Sequence, residues 1–430
     1  MQRHFRKNLM AFAIASALGG ASGLASAAGF ALIEQSGSGM GNAFAGAAAT
    51  AEDASTIFFN PAGLTKLQGS QGTIAAHIID LSVKFNNSGA SAPPAGIASL
   101  GSDGGDAGDV AVVPNIYLSM PINDRIVVGL GVNAPFGLKT EYDADWVGRF
   151  QGIKTDLMAV NVNPTIAYKV NDMVSVGAGI NYQKIDAELT NRVSGAAFGA
   201  PGTEFNARLK ADDDAWGWNA GVLFDVSPST RIGASYRSKI KYQLEGDVTI
   251  TDPTGAVVGA ASGAATADLT VPDMFSISLV QKLNDKVDLL ADVTFTRWGE
   301  IQQIQILNPA NGATRDTLVL NFDDTYRYSV GLNYHCSERF TGKVGVALDQ
   351  SPVNDTNRTV RLPDNDRKWI SVGGSYRPGT SSKIDFGYSH LFVSNTPIDQ
   401  TRGNAAGFGR VAGNYDASID VLSIQYTHSF

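Results

Sequence analysis

Short stretches in which apolar and polar residues alternate recur along most of this chain, and they constrain its fold more than any other feature. Within residues 157–168, Val160 and Val162 fall on one side of an extended backbone, while Asn161 and Asn163 fall on the other. Successive side chains of a β-strand point to opposite faces, so an alternation of period two predicts a strand with one apolar face. The chain is therefore expected to be all-β.

Two kinds of connection alternate between the strands, short turns and long loops. We count fourteen strands, at residues 71–85, 112–120, 125–133, 156–169, 173–189, 214–226, 230–249, 266–282, 286–302, 318–335, 338–350, 367–376, 382–394 and 417–430. Turns of a few residues alternate with long connections, which we place at 86–111, 134–155, 190–213, 251–265, 303–317, 351–366 and 395–416. Tight turns at one end and long loops at the other are typical of outer-membrane barrels. We predict a 14-stranded antiparallel transmembrane β-barrel over residues 71–430, closed because an open sheet edge in lipid would leave backbone groups unpaired.

A soluble β-sandwich or propeller is the alternative, because a soluble strand also buries its apolar face. Two observations favour the barrel. The aromatic residues Tyr168, Phe224, Tyr334 and Tyr376 stand on the apolar face just before short turns, where a periplasmic aromatic girdle belongs. The second face is rich in Ser, Gly, Asn and Ala, which suggests a lumen with free space rather than a packed core.

The first 27 residues have a composition of their own. A basic start from Arg3 to Lys7 precedes an apolar run at 9–18, and small residues follow at 25–27. This order is typical of a cleaved secretory signal peptide. The alternative is a short membrane anchor, but a run of ten residues is too short for a helix across about 30 Å of hydrocarbon.

Charge and cysteine content exclude two other classes of protein. The net charge of −8 gives no electrostatic footprint for nucleic acid, so none is expected as a partner. Cys336 is the single cysteine, so the chain cannot form a disulfide of its own.

Residues 28–70 precede the first strand and show no alternation of period two. The stretch is too apolar to be a solvated tail, and it contains Phe58, Phe59 and the turn 60–63. Aromatic side chains gain nothing by staying in water, so we expect this stretch to form an N-terminal plug in the lumen. The alternative is a mobile periplasmic extension.

Several motifs in this order resemble the FadL-type outer-membrane transporters of long-chain fatty acids and other hydrophobic compounds. They are Ala28-Gly29-Phe30, the run from Gly37 to Gly46, Asn60-Pro61-Ala62, Trp218-Asn219-Ala220-Gly221, Tyr236-Arg237-Ser238, Asp349-Gln350-Ser351-Pro352, Asn357-Arg358 and the segment from Leu362 to Arg367. The resemblance covers nearly the whole chain after residue 27. It is more specific for the family than for the substrate.

The resemblance implies a passive transporter in the bacterial outer membrane, with no cofactor and no energy source besides the ligand gradient. External loops would capture a hydrophobic molecule from the lipopolysaccharide side, and an apolar pocket would bind it. Movement of the plug would then release it sideways, through an opening in the barrel wall, into the outer-membrane lipid.

The resemblance also assigns roles to individual residues. Substrate binding would fall to Phe30, Leu32 and Arg192, with Arg192 meeting a fatty-acid carboxylate. Gate and plug roles would fall to Asn60, Pro61, Ala62, Pro135, Phe136, Gly137 and Asp349. From the residues alone, plainer interpretations stay open: a solvated loop arginine at 192, a β-turn at 60–62, a strand-to-loop turn at 135–137, and a solvated acid at 349.

One departure from the family pattern bears on the ligand. The family's second cation falls at Asp323 here, an acid. Neutral hydrocarbons, such as aromatics and alkanes, therefore remain candidate ligands beside fatty acids, and a general porin is a further alternative. An enzyme is not expected, because the sequence contains no Gly-x-Ser-x-Gly motif, and adjacent Ser389 and His390 point to opposite faces of a strand.

The last strand ends on an aromatic residue, Phe430. This ending is similar to the assembly signal of outer-membrane barrels, so we expect recognition by the barrel-assembly machinery. The protein is expected to be a monomer in contact with outer-membrane lipid and lipopolysaccharide.

Overall fold

The computed structural model describes residues 29–93, 100–401 and 405–430. The predicted signal segment at 1–27 lies outside the described residues, as does Ala28.

One antiparallel sheet contains all twenty strand segments of the described chain. They are β1 Gln71–Asn87, β2 Val110–Pro121, β3 Ile126–Asn133, β4 Gly137–Glu141, β5 Lys154–Lys169, β6 Val174–Ser194, β7 Glu204–Ser227, β8 Thr230–Arg237, β9 Ile240–Thr251, β10 Gly263–Val271, β11 Met274–Asn284, β12 Val287–Thr296, β13 Gln303–Leu307, β14 Thr314–Val319, β15 Thr325–His335, β16 Phe340–Asp349, β17 Arg367–Tyr376, β18 Ser382–Val393, β19 Thr396–Gln400 and β20 Val411–Ser429.

Six wall strands are interrupted and appear as two segments each: β3/β4, β8/β9, β10/β11, β12/β13, β14/β15 and β18/β19. The twenty segments therefore make fourteen wall strands. The sheet is closed, because β1 pairs with β2 on one side and with β20 on the other, from Gln71–Ser429 to Asn87–Gly413. The predicted 14-stranded antiparallel β-barrel is confirmed.

The apolar face of the wall points outward. In β16, Val344, Val346 and Leu348 are exposed, whereas Ala347 between them, Lys343 before them and Asp349 after them are buried. A wall that is apolar outside and polar inside is suited to lipid and not to water. The soluble alternatives require the opposite arrangement and are excluded.

The four aromatic residues predicted to form a girdle, Tyr168, Phe224, Tyr334 and Tyr376, are all exposed on the outer face. Each lies at or near the end of a strand that leads into a short turn. Their outward position follows from the alternation alone, because each shares a face with the exposed apolar residues of its strand.

Four predicted loops are wrong in extent. β4 lies within 134–155, and β19 with the start of β20 lies within 395–416. β6 and β7 continue as a paired hairpin from Val174–Phe224 to Ser194–Glu204, so most of 190–213 is strand. The predicted loop 303–317 contains β13 and the start of β14, which pair with each other. In these parts the exposed face is polar, as at Arg208 and Gln305, while apolar residues such as Phe205 and Ile306 are buried, so the ladder persists where the apolar outer face has ended.

Residues 29–70 contain three short α-helices, Gly37–Met40, Ala47–Thr50 and Thr56–Phe59, and the 3₁₀ helix Pro61–Lys66. The remaining helical turns are the 3₁₀ helices Gly195–Phe198 and Trp298–Glu300 and the α-helix Ala405–Phe408. No helix in the described part of the chain is long and apolar enough to span a bilayer.

The N-terminal segment, residues 29–70, contacts inward-facing residues on opposite sides of the closed wall. Gly37 meets Gln425 of β20, Asn42 meets Asn333 of β15, and Asn60 meets β7. A segment with such contacts all around a closed sheet lies in the lumen.

Glycines on the inner face let this segment approach the wall. A Cβ at Gly345 would lie 2.2 Å from the backbone of Asn42, and one at Gly233 would lie 1.9 Å from the carbonyl oxygen of Ala48. The small inner face suggested a lumen with free space; part of that space is filled by the N-terminal segment.

Candidate functional site

The wall is broken between β3 and β4, at residues 134–136. Pro135 has no N–H to donate to a neighbouring strand. The N-terminal segment pairs with this break: Leu32 N donates to Pro135 O (2.9 Å), and Gly137 N donates to Phe30 O (2.9 Å). Ala31 and Phe136 form the bridge between these two bonds.

Aromatic side chains pack behind the wall break. The ring of Phe30 lies 5.8 Å from that of Phe136 and 4.7 Å from that of Trp298, measured between centroids. Gly29 N donates to Asp364 Oδ2 (2.8 Å), and Gln35 Nε2 donates to Ala134 O (2.9 Å). Phe30 and Leu32 are both buried. The two N-terminal residues predicted from the resemblance therefore lie at the wall break.

Asn60, Pro61 and Ala62 form the start of a 3₁₀ helix. Asn60 Oδ1 accepts from Ala62 N (3.0 Å), and Asn60 Nδ2 donates to the carbonyl oxygens of Ala48 (2.7 Å) and Val222 (3.0 Å). Asn60 thus joins two parts of the N-terminal segment to β7.

A cavity, here called the inner cavity, lies between the N-terminal segment and the wall and reaches the wall break. It comprises about 940 Å³ of space between atoms, including its open side. Its lining includes the apolar residues Leu32, Ile33, Phe58, Phe59, Pro61, Pro135, Met274 and Trp298 and the charged residues Arg237, Asp292, Arg327 and Asp349. Four of the predicted residues, Leu32, Pro61, Pro135 and Asp349, are thus brought together.

The sequence analysis missed two arginines of the inner cavity. Arg237 Nη1 donates to Asn181 Oδ1 (2.6 Å), and its Nη2 donates to Phe58 O (3.0 Å). Arg327 Nη2 donates to Ala43 O (2.9 Å). The signal that identifies Arg327 is its position in β15, where Tyr326 and Tyr328 on either side are exposed and Arg327 must face inward.

Asp349 ends β16 beside Arg327. Its Oδ2 lies 4.0 Å from Arg327 Nε, so the two charges face each other without a hydrogen bond. Asp349 also acts electrostatically on Glu34 of the N-terminal segment. Asp349, predicted from the resemblance to act with the gate and plug, therefore lies near the N-terminal segment.

Arg192 lies elsewhere, in a second cavity between the β6/β7 hairpin and neighbouring loops, here called the outer cavity. This cavity comprises about 1240 Å³, including its open side, and its lining combines Leu189, Leu209 and Leu318 with Arg192, Arg315 and Arg361. Arg192 hydrogen-bonds Asn206, and its Nε lies 3.9 Å from Glu204. The structure therefore does not bring Arg192 together with Phe30 and Leu32.

Asp323, where the family pattern has a cation, is exposed and accepts a hydrogen bond from Asn354 Nδ2 (3.2 Å). It lines neither cavity.

Buried charges fix the middle of the N-terminal segment. Lys343 Nζ donates to Glu52 Oε2 (2.6 Å) and to Ser38 O (2.8 Å), and Lys383 Nζ lies 3.1 Å from Asp53 Oδ2. Burial alone would raise the pKa of Asp53, but Lys383 and hydrogen bonds from Ser55 outweigh burial and hold it below its usual value. These acids are ionised at neutral pH and bind the segment to the wall.

Glu34 behaves differently. Burial raises its pKa to about 7, although Arg367 and Arg327 favour the charged form. Its carbonyl oxygen accepts from Asn115 Nδ2 (2.9 Å). The N-terminal segment therefore carries one carboxyl group that titrates near neutral pH, close to the inner cavity.

A closed barrel with a lipid-facing apolar wall, a lumenal N-terminal segment and an apolar cavity beside a wall break defines a membrane-spanning β-barrel with an internal cavity. The comparisons with known proteins make this class more specific. The family described as "Outer membrane protein transport protein (OMPP1/FadL/TodX)" matches residues 19–430, and the chain belongs to this family.

Two relatives illustrate the similarity in sequence. Outer membrane protein P1 of Haemophilus influenzae is 31% identical over 426 residues, covering 90% of this chain and 90% of that protein. The long-chain fatty acid transport protein of Escherichia coli K12 is 30% identical over 433 residues, covering 92% of this chain and 94% of that protein.

Solved structures agree with this assignment. The crystal structure of a Pseudomonas aeruginosa FadL homologue has a TM-score of 0.87 at 27% identity, covering 94% of this chain and 100% of that one. The Pseudomonas putida toluene transporter TodX has a TM-score of 0.68 at 18% identity, covering 88% and 94% respectively. At 18% identity, the similarity to TodX supports the fold alone.

Proposed function

We propose that this protein is a passive outer-membrane transporter of long-chain fatty acids or similar hydrophobic molecules. The observation that carries the proposal is the inner cavity, which is mostly apolar and reaches the break between β3 and β4. An alkyl chain gains about 0.8 kcal/mol per CH₂ on leaving water, so this cavity would bind one through burial alone. The ligand gradient would then drive transport.

Long-chain fatty acids are the first candidate ligands because the Escherichia coli relative, a long-chain fatty acid transport protein, aligns over 92% of this chain. Neutral hydrocarbons are the second candidate. The observation that favours them is the acid Asp323 in place of a cation. Both kinds of ligand would follow the same route, and they differ in that only the fatty acid carries a carboxylate.

The proposed route starts at the outer cavity, where apolar side chains and Arg192 would capture the ligand from the external medium. The ligand would move to the inner cavity, against Leu32, and leave sideways between β3 and β4. Two backbone hydrogen bonds, from Leu32 N and from Gly137 N, hold Phe30 and Leu32 against this break. Exit would require these bonds to open, with Pro135, Phe136 and Gly137 forming the gate and Asp349 beside it.

Residues 28–70 would act as the plug of the barrel. Asn60, Pro61 and Ala62 would keep most of it fixed, since Asn60 bonds to β7 and Pro61 starts the 3₁₀ helix. Movement would be confined to the first residues. A general porin, the alternative, needs a lumen open to polar solutes; vesicles that contain this protein should exclude sugars.

The remaining expectations also stand as proposals: a cleaved signal peptide at 1–27, a monomer, contact with lipopolysaccharide, and recognition of Phe430 by the barrel-assembly machinery. Phe430 is exposed at the end of β20, which is compatible with recognition there.

A reversible cross-link across the wall break tests the route. Ala31→Cys with Phe136→Cys, in a Cys336→Ser background, joins the bridge partners when oxidised. We expect oleate uptake by cells that express this variant to fall at least about tenfold on oxidation and to recover on reduction, because the exit stays closed while the N terminus is fixed.

Leu332→Cys with Val344→Cys is the matched control, since these residues are register partners within the wall. Uptake through the control should not depend on oxidation. Full uptake through the oxidised Ala31–Phe136 pair would reject the lateral exit, and absence of oleate uptake by cells that express the wild type would reject the proposed ligand.

A further inference from the structure

Arg327 of β15 is a buried arginine with unused hydrogen-bond donors. Only 6% of the residue is exposed, and it lines the inner cavity. Its Nη2 donates to Ala43 O (2.9 Å). Its Nε and Nη1 are also buried, and neither has a hydrogen-bond partner in the part of the chain that the structure describes. Unpaired buried donors of a charged group are costly in a folded protein, so this arrangement points to a ligand.

The charged neighbours of Arg327 do not use these donors. Asp349 Oδ2 stays 4.0 Å from Arg327 Nε, which is too long for a hydrogen bond. Asp292, on the neighbouring strand β12, accepts hydrogen bonds from the hydroxyls of Ser278 and Thr294. The guanidinium carbon lies 5.0 Å from the ring centroid of Trp369, so the ring covers one face and leaves the nitrogen atoms at the edge available.

The other arginines near the route are placed differently. Arg237 lines the same cavity, but two of its nitrogen atoms donate to Asn181 and Phe58, and its guanidinium lies 4.3 Å from the Phe58 ring centroid. Arg192 lines the outer cavity. Arg327 is therefore the arginine best placed to meet a ligand in the inner cavity.

We propose that Arg327 binds the carboxylate head of an amphiphilic ligand in the inner cavity, with the alkyl tail against the apolar lining. Arginine forms strong, charge-assisted hydrogen bonds with carboxylates, and the apolar side chains of Leu32, Phe59 and Trp298 would cover the tail. This inference rests on the proposed function and deepens it, because it makes the inner cavity selective for long-chain acids over neutral molecules of the same length.

The test compares two ligands that differ only at the head, oleate and oleyl alcohol. Their equilibrium binding is measured on purified protein in lipid nanodiscs, for the wild type and for Arg327→Met, Arg327→Lys and Arg237→Met. Arg327→Met should weaken oleate about tenfold or more and change oleyl alcohol less than twofold, since only oleate loses a charged hydrogen bond. Arg327→Lys should restore part of the oleate affinity. Arg237→Met, which removes contacts to the N-terminal segment, should affect both ligands alike.

The outcomes separate the inference from the function on which it rests. If Arg327→Met weakens both ligands equally, or weakens neither, the headgroup role is wrong while a transport function stands. If the wild type binds neither ligand, the proposed function itself fails. Heat-dependent gel mobility identifies any variant that does not fold. If Arg327→Met does not fold, the binding of oleate and of methyl oleate to the wild type is compared instead. Equal affinity for the two ligands would overturn the proposal, and a clear preference for oleate would support it.

Discussion

At the scale of single residues, this protein places charged groups in the lumen under two different conditions. Glu52 and Asp53 meet Lys343 and Lys383, so their charges are neutralised at the wall. Glu34 is buried without such a partner, and its pKa is raised to about 7. The same type of side chain is thus an ionised anchor at one point and a titrating group at another.

Glu34→Gln should remove a pH dependence of stability. A carboxyl that titrates at about 4.5 when unfolded and at about 7 when folded keeps its proton only in the folded state between these values. The free energy of unfolding of the wild type should therefore fall as pH rises through that window, by roughly 3 kcal/mol from this group. Urea unfolding in lipid vesicles at pH 5 and pH 8 measures it. The difference in free energy of unfolding between the wild type and Glu34→Gln should change with pH. A difference that stays constant between pH 5 and pH 8 would contradict the raised pKa of Glu34.

Arg327 also belongs to the residue scale, and it shows what the sequence analysis lacked. Its inward direction follows from the alternation in β15, but its two unused donors depend on contacts with Ala43, Asp349 and Trp369. These residues are distant in the chain, so no local pattern identifies Arg327 as different from Arg237.

At the scale of elements, the close fit between the N-terminal segment and the wall depends on particular glycines. A Cβ at Gly345 would lie 2.2 Å from the backbone of Asn42, a distance that real structures do not tolerate. Gly342 is in the same strand, but a Cβ there would meet nothing within 4 Å. β16 therefore carries one glycine that the segment requires and one that it does not.

Gly345→Ala should displace the N-terminal segment from the wall, whereas Gly342→Ala should not. We expect faster proteolysis within residues 29–70 and measurable sugar entry into vesicles for Gly345→Ala only. Limited proteolysis and liposome swelling are the measurements. Equal behaviour of the two variants would mean that the segment does not depend on this contact.

The hairpin of β6 and β7 shows where strand boundaries can no longer be predicted from the sequence. The strands were predicted to end at residue 189 and to begin again at 214, where the exposed side chains on the outer face have become polar, as at Asp212. Beyond it the backbone ladder continues to Ser194 and Glu204. Outside the membrane the exposed face can be polar, as at Arg208 and Lys210, so the apolar outer face by which the strands were recognised is absent there.

At the scale of the whole molecule, stability depends on the outward apolar face. Val346, in the middle of β16, is 53% exposed in the isolated protein and would face hydrocarbon in a membrane. Val257, in the connection between β9 and β10, is exposed as well but lies beyond the wall. The two valines are thus both largely exposed in the isolated protein, although they have different surroundings in a membrane.

Val346→Lys should lower the free energy of unfolding in lipid by roughly 2–4 kcal/mol, the cost of a lysine on the lipid face near mid-membrane. Val257→Lys should change it by less than about 0.5 kcal/mol, as for an ordinary surface substitution. Urea titrations of both variants in vesicles provide the comparison. Similar values for the two substitutions would mean that the wall at Val346 does not face lipid.

The sequence by itself determined the closed wall, its fourteen strands and the side that faces lipid. These are consequences of a local rule, because each side chain of a strand takes the face opposite to that of its neighbour, and a sheet in lipid must have no free edge. Only the tertiary structure decided which inward residues form a site. Leu32, Pro135 and Arg327 are separated by up to hundreds of residues in the chain, and barrel closure together with the lumenal N-terminal segment brings them to one cavity while it leaves Arg192 in another.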